Sequence, residues 1–321
     1  MREAKLLIAI LILTSMSSGI TVAAPATSTP DETGPLFGGQ SFDANVSGFT
    51  TTNLSDLPPI AEVYTATWCS NCLDVEHALE NIENDTNLQQ YHIHRAINEA
   101  QDPLGNIELD QRFHDRYGIY APPMVVMNGS LMKMGSVTDY DSLESEYTEM
   151  TQLAHLAGTG NGSEGTSFFS WNSTSETTGV ASWSIELENH SVDTSLTYTL
   201  SAYAWIVEHS ANFEEGTNGL GDYPDVVRGI IELGEITIDS GQMVGSGSSE
   251  ITLPSAYDGN DLSVHLIYQF NIVAEEPLEE EECLIPEGCE EEESVPAASL
   301  VASLCVVLGA TLSRKNESQG K

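Results

Sequence analysis

Thr67-Trp68-Cys69-Ser70-Asn71-Cys72 is a Cys-x-x-Cys pair with a tryptophan directly before it. Upstream, Ile60-Ala61-Glu62-Val63-Tyr64 reads as a short buried strand. Downstream, Val75, Leu79 and Ile82 stand at i, i+4 and i+7, one face of a helix. The stretch is a strand-to-helix turn, and it is expected to put Cys69 in the first turn of the helix. Unpaired backbone N–H groups and the helix dipole favour an anion there. The thiolate is the reactive form of cysteine.

A second landmark follows in Tyr117-Gly118-Ile119-Tyr120-Ala121-Pro122-Pro123-Met124-Val125-Val126-Met127-Asn128-Gly129. Together the two stretches resemble the thioredoxin superfamily, in which a Tyr-Gly-Ile/Val segment precedes a cis-proline and an apolar strand that ends in a turn. Pro123 matches that proline. The resemblance covers residues 59–157 and implies an α/β thioredoxin-like domain in the order β-α-β-α-β-β-α. The residues between the landmarks read accordingly: 91–97 as an alternating strand and 104–117 as a helix stopped by Gly118. A hairpin turns at Asn128-Gly129. Tyr140, Leu143, Tyr147, Met150 and Ala154 form one face of a closing helix.

Residues 166–274 change character. Trp183, Ile185 and Leu187 alternate, as do Leu262, Val264, Leu266, Tyr268 and Phe270, with turns rich in Gly, Asn, Asp and Ser between runs. Strands are expected at 168–171, 180–187, 196–207, 226–238, 249–253 and 262–272. This pattern resembles an all-β immunoglobulin-like or fibronectin-like sandwich. A Gly-rich linker, 158–165, separates it from the α/β unit. Residues 27–58, rich in Thr, Ser, Pro, Gly and Asp, read as a flexible tether, with Phe37, Phe42 and Phe49 as docking points.

The two ends carry address signals. Residues 1–26 form a signal peptide, with Arg2 and Lys5 before an apolar core and Ala24-Pro25-Ala26 at the cleavage site. Residues 275–294 are an acidic stalk, 295–312 an uncharged apolar run of membrane-spanning length, and 313–321 a basic tail. The layout resembles archaeal surface proteins and puts residues 27–294 on the outer face of the membrane, held through the C-terminal helix. Among the 321 residues the formal charge is −39, and only Arg95, Arg112, Arg116, Lys133 and Arg228 are basic between signal and anchor. Phosphate backbones would be repelled, so nucleic acid is excluded as a partner. Sequons begin at Asn45, Asn53, Asn84, Asn128, Asn161, Asn172, Asn189 and Asn316.

Five cysteines are too few for a disulfide scaffold of this length. Cys69 and Cys72 are read as a redox-active pair that needs no other cofactor, Cys69 attacking and Cys72 resolving the mixed disulfide. The resemblance implies that Trp68 shields the pair and that Pro123 packs against the sulfurs. It also implies that the neighbours Pro122 and Met124 face substrate. Pro122 has no N–H to offer a substrate backbone. The family's buried acid, six residues before the first cysteine, is replaced here by Val63, with Glu62 on the opposite face of the strand. Asp74 and Glu76 add negative charge that opposes a thiolate. Cys283 and Cys289 are a possible second disulfide or a tethered relay, and Cys305 a small apolar residue in the spanning run.

The reading is an extracytoplasmic thiol–disulfide oxidoreductase that oxidises or isomerises disulfides in exported proteins, its electron donor or acceptor unidentified. Two alternatives stand beside it: a surface binding or adhesion protein on an inactive scaffold, and a copper-binding protein using Cys69, Cys72 and His77.

Overall fold

The structure is a computed structural model and describes residues 25–30, 33–98, 100–118, 121–158, 164–188, 197–237 and 243–273. Most of the expected signal peptide and Gly-rich linker lie outside the described residues, as do Cys283, Cys289, the acidic stalk, the 295–312 run and the tail. The described strands are β1 Thr27–Ser28, β2 Thr33–Asp43, β3 Gly48–Asn53, β4 Ile60–Thr65, β5 Gln89–His94, β6 Met124–Met127, β7 Leu131–Met134, β8 Glu164–Ser173, β9 Thr178–Glu188, β10 Thr197–Asn212, β11 Asp222–Thr237, β12 Met243–Thr252 and β13 Leu262–Val273. The helices are α1 Cys72–Thr86, α2 Ile107–Tyr117 and α3 Leu143–Gly158.

Strands outweigh helices, and they assemble differently from expectation. Nine strands form one mixed sheet in the order β1-β7-β6-β4-β5-β11-β10-β13-β2. Four form a second sheet, β12-β9-β8-β3. An α/β domain followed by a separate sandwich is therefore the wrong fold class for this chain. The seam is the parallel pairing of β5 with β11, where Val226 sits opposite His92. The described residues fall in one compact unit.

Core packing shows the same fusion. Ile60, Tyr64, Tyr91 and Phe113 share a buried cluster with Leu36, Trp205, Val207, Val227 and Ile267. Between the two sheets lies a second cluster, including Trp171, Trp183, Ile206, Leu266 and Tyr268. A third, with Val63, Val75, Leu79, Tyr147 and Met150, seats α1 and α3 on the other face of the large sheet. Burial of this apolar surface is the main favourable term, and it couples segments that read as independent.

The expected tether is structural. β2 closes the large sheet against β13, and β3 pairs with β8. Leu36 and Phe37 are buried on its two faces, whereas Phe49 is exposed. Gly38, at φ 140°, passes so close to β13 that a Cβ would collide with the carbonyl of Leu266. Its many small residues mark close strand packing, not slack chain.

Helix ends follow ordinary capping chemistry. Asn106 caps α2 by accepting from the N–H groups of Glu108 and Leu109. Gly118, at φ 71°, ends it in the left-handed region. Leu143, Tyr147, Met150 and Ala154 form the buried face of α3, while Tyr140 lies ahead of the helix and is exposed. Among the described residues no helix is long and apolar enough to cross a membrane. The 295–312 run expected to span the membrane lies outside the described residues.

Candidate active site around the Cys69–Cys72 disulfide

β4 runs out of the sheet at Thr65, and the chain turns through Ala66–Asn71 into α1. Cys69 N–H donates to the Ala66 carbonyl at 2.9 Å, and Cys72 N–H to the Cys69 carbonyl at 3.2 Å. Cys69 and Cys72 are joined in a disulfide, S–S 2.00 Å, with Cα atoms 5.4 Å apart. The helix begins at Cys72, one turn later than its apolar spacing suggested. Cys72, not Cys69, occupies its first position, because the tight turn takes up Cys69–Asn71. A thiolate released at Cys72 therefore meets the free N–H groups of α1.

Ser70 and Asn71 are exposed, and Trp68 is half-buried beside the pair. Cys69 is 5% exposed and Cys72 fully buried. The disulfide lies just under a surface turn, with access only on the Cys69 side. Pairing of β4 with β6 ends at Tyr64–Met124, so Pro123 leaves the sheet at the end from which the cysteine turn emerges. Pro122–Pro123 is a cis peptide bond, Pro123 is buried and Pro122 half-buried. Met124 is fully buried in the cluster with Tyr64 and Phe113. It has no surface for a substrate, contrary to expectation, because it already belongs to the sheet.

Behind the turn lies a polar layer. Asp102 Oδ2 accepts the Thr67 N–H at 2.8 Å and sits 2.8 Å from His94 Nδ1, while its Oδ1 accepts the Leu104 N–H at 3.0 Å. His94 is buried, and its Nε2 has no hydrogen-bond partner. Glu76, one turn after Cys72 on the inner face of α1, accepts from Thr65 Oγ1 at 2.6 Å. Its other oxygen is buried without a hydrogen bond. His92, next to this group on β5, has its pKa lowered by burial, which outweighs the opposing pull of Glu76.

The segment before β11 completes the surroundings. Asn218 N–H donates to the Thr67 carbonyl at 3.1 Å. Tyr223 donates its hydroxyl to Asn218 Oδ1 at 2.8 Å and sets its ring edge-on to His94 at 5.6 Å. Burial pushes the Tyr223 hydroxyl up to about 12, aided by Asp102 and Glu76, so it stays a donor at neutral pH. The cysteine turn is thus clamped from two distant segments.

Several expectations are resolved by this geometry. Glu62 binds Arg112 at 2.9 Å and the Tyr117 hydroxyl at 2.6 Å, on the sheet face away from α1. It takes no part at the disulfide. Val63 packs under α1 as a core residue. His77 is exposed, and among the described residues no three His, Cys, Asp or Glu side chains converge to hold a metal ion. Asn128 is buried and accepts the Ile60 N–H at 2.6 Å, so it is no glycosylation site in the folded chain. Asn45, Asn53, Asn84 and Asn172 are exposed. The sequence reading missed Glu76 as a buried site residue, although its i+4 spacing from Cys72 was visible. It also missed Asp102, Asn218 and Tyr223, for which nothing local gave a signal.

No protein-family model matches the chain, and no curated protein matches it in sequence. Among solved structures it is similar to HBP35 of Porphyromonas gingivalis, at a TM-score of 0.45 and 13% identity over 75% of this chain and 80% of that one. It is also similar to a structural-genomics protein of Agrobacterium tumefaciens, at a TM-score of 0.38 and 13% identity over 69% of this chain and 96% of that one. Likeness at this level assigns neither fold family nor activity. The resemblance to the thioredoxin superfamily is accordingly corrected: no family model supports it, and the described chain is 50% strand and 19% helix, built on large mixed sheets.

Proposed function

We propose that this protein exchanges disulfides with thiols of exported polypeptides through Cys69 and Cys72. The observation that carries the reading is a disulfide closed across two exposed residues at the start of a helix. In the exchange, a substrate thiolate attacks Cys69 Sγ and the Cys69–Cys72 bond breaks. Cys72 leaves as a thiolate at the N-terminus of α1, where the helix stabilises it. A second substrate thiolate then attacks the substrate sulfur of the mixed disulfide and releases Cys69. The substrate gains a disulfide, two electrons pass to the pair, and the two substrate thiol protons end on Cys69 and Cys72 by way of solvent. Reoxidation requires an electron acceptor outside this chain. Such chemistry belongs outside the cytoplasm, where disulfides persist.

A specific observation favours a second reading, a structural disulfide: neither cysteine is more than 5% exposed. Incubation of the oxidised full chain with a reduced, unfolded two-disulfide protein separates the two. Exchange predicts that wild type forms substrate disulfides and that Cys69→Ser and Cys72→Ser, neither of which can hold the pair's disulfide, both abolish that oxidation. Offered the substrate in its disulfide form, Cys72→Ser should accumulate a mixed disulfide, its Cys69 thiolate attacking and one substrate thiolate leaving. An oxidised pair that stays intact before excess unfolded dithiol would leave the structural reading.

A further inference from the structure

Beside its buried face, one flank of α1 carries Glu76, Glu80 and Glu83 past the cysteines, Glu76 buried and Glu80 and Glu83 exposed. With His77, Gln90, His92, Leu220, Asp222, Pro224 and Asp225 they line a cavity of about 300 Å³ that contains no Lys or Arg. Glu76 is only 7% exposed, and its Oε2 is buried without a partner at the cysteine end of this cavity. Gln90 is already spent, its amide donating to Glu83 at 3.1 Å and its oxygen lying 3.4 Å from His92 Nε2. Basic side chains of the fold are bound internally: Arg112 by Glu62, Arg116 by the Gly34 carbonyl, Lys133 by Glu146 and Arg228 by Glu208. Among the described residues no lysine or arginine lines the cavity to answer its carboxylates.

We infer that this cavity is a subsite for a lysine or arginine side chain of the polypeptide substrate, next to the reactive cysteine. The inference rests on the exchange reading and adds a substrate class to it. The carboxylates do not converge on a point, as a metal ion needs, but the volume accommodates the end of a long basic side chain. Burial holds the Glu83 carboxyl above its usual range, countered by Gln90 and reinforced by Asp225 and Glu80. A bound cation relieves that strain between like charges. Glu76 lies about 6 Å and Glu83 about 16 Å along the helix from Cys72. An extended chain bound at Cys69 covers that distance in roughly two to five residues.

The test uses the oxidised full chain and short two-cysteine peptides with Lys, norleucine or Glu three residues from the reactive cysteine. The rate of reduction of the Cys69–Cys72 bond is read for each. Lys is expected to exceed norleucine by roughly fivefold at low salt, about what one or two partly screened ion pairs supply. The ratio should fall to about one in Glu80→Gln/Glu83→Gln and hold in Glu164→Gln/Glu186→Gln, which removes equal charge from exposed positions on the small sheet. A ratio near one in wild type, or an equal loss in both variants, overturns the subsite. If no peptide reduces the pair at all, the exchange reading fails first. Calorimetric binding of the cysteine-to-serine Lys peptide then decides the cavity: binding lost in Glu80→Gln/Glu83→Gln supports the subsite, and absent binding overturns it. Magnesium binding that the peptide cannot displace also overturns it.

Discussion

Asp102 holds the backbone of Thr67: its Oδ2 accepts the Thr67 N–H at 2.8 Å, across 35 residues of sequence. The same oxygen faces His94 Nδ1 at 2.8 Å, with both side chains at 0% exposure. One carboxylate thus fixes where the cysteine turn begins and pairs with one ring nitrogen of the histidine beneath it.

Asp102→Ala is therefore expected to leave a buried N–H and a buried imidazole unpaired. The cost should be about 2–4 kcal/mol. In a chain of this size that lowers Tm by about 4–16 °C. The turn, released from its anchor, should also let dithiothreitol reduce the Cys69–Cys72 bond faster. Calorimetry and quenched mass spectrometry read the two effects, and an unchanged reduction rate would show that the turn is held elsewhere.

Lys133 is the only fully buried cation among the described residues, 3.2 Å from Glu146 under α3. Removing one partner strands the other charge in the core. Lys133→Met should cost about 3–5 kcal/mol, and Lys133→Met/Glu146→Leu should recover most of that. Urea unfolding of both variants checks the difference. A double variant no better than the single would mean that shape, not charge, sets the cost.

His265 is held neutral. Burial brings its pKa down to about 4, opposed by a smaller pull from Asp225 and reinforced by His209. Its Nδ1 lies 3.1 Å from the Tyr91 hydroxyl and its Nε2 2.8 Å from the Ser263 hydroxyl, one nitrogen donating and the other accepting, a division that a second ring proton would disrupt. The unfolded chain binds the proton near pH 6.5 and the folded chain only near 4. Its contribution is complete above pH 6.5 and lost as pH falls through that window, on the order of 3 kcal/mol. His92, also lowered by burial, acts in the same direction. His265→Gln should flatten the fall in stability between pH 6.5 and 4, measured by denaturant titration at each pH. An unchanged slope would assign the acid sensitivity to the carboxylates.

Salt should stabilise the fold. At a formal charge of −39 with most basic side chains turned inward, the outer surface repels itself. Raising NaCl from 0.05 to 1 M shortens the screening length from roughly 14 to 3 Å. Thermal melts should move upward by several degrees, and a melting point that falls with salt would place more weight on the internal ion pairs than on surface repulsion.

Much of the local structure was legible. The alternation in 180–187 and 262–272 located β9 and β13, and the spacing of Val75, Leu79 and Ile82 located the buried face of α1. The errors have one physical origin. Periodicity reports which way a side chain points, not which strand lies beside it. Tyr91 and Trp205 look like the core residues of two domains, yet their rings meet at 5.1 Å. Residues 33–53 look like a linker because close strand packing and slack chain both favour small residues.

The sequence by itself determined the strand-turn-helix that carries Cys69 and Cys72, the run of β-strands after it, and the excess of negative charge. These depend on neighbours a few residues apart, where spacing and composition act directly. Only the tertiary structure decided that β5 and β11 join two expected domains into one sheet. It alone set Asp102, Asn218 and Tyr223 around Thr67, and the glutamates of α1 opposite Asp222 and Asp225. Those groups come from segments 35 to more than 150 residues away, brought together because the chain had apolar surface to bury along the whole length of one sheet.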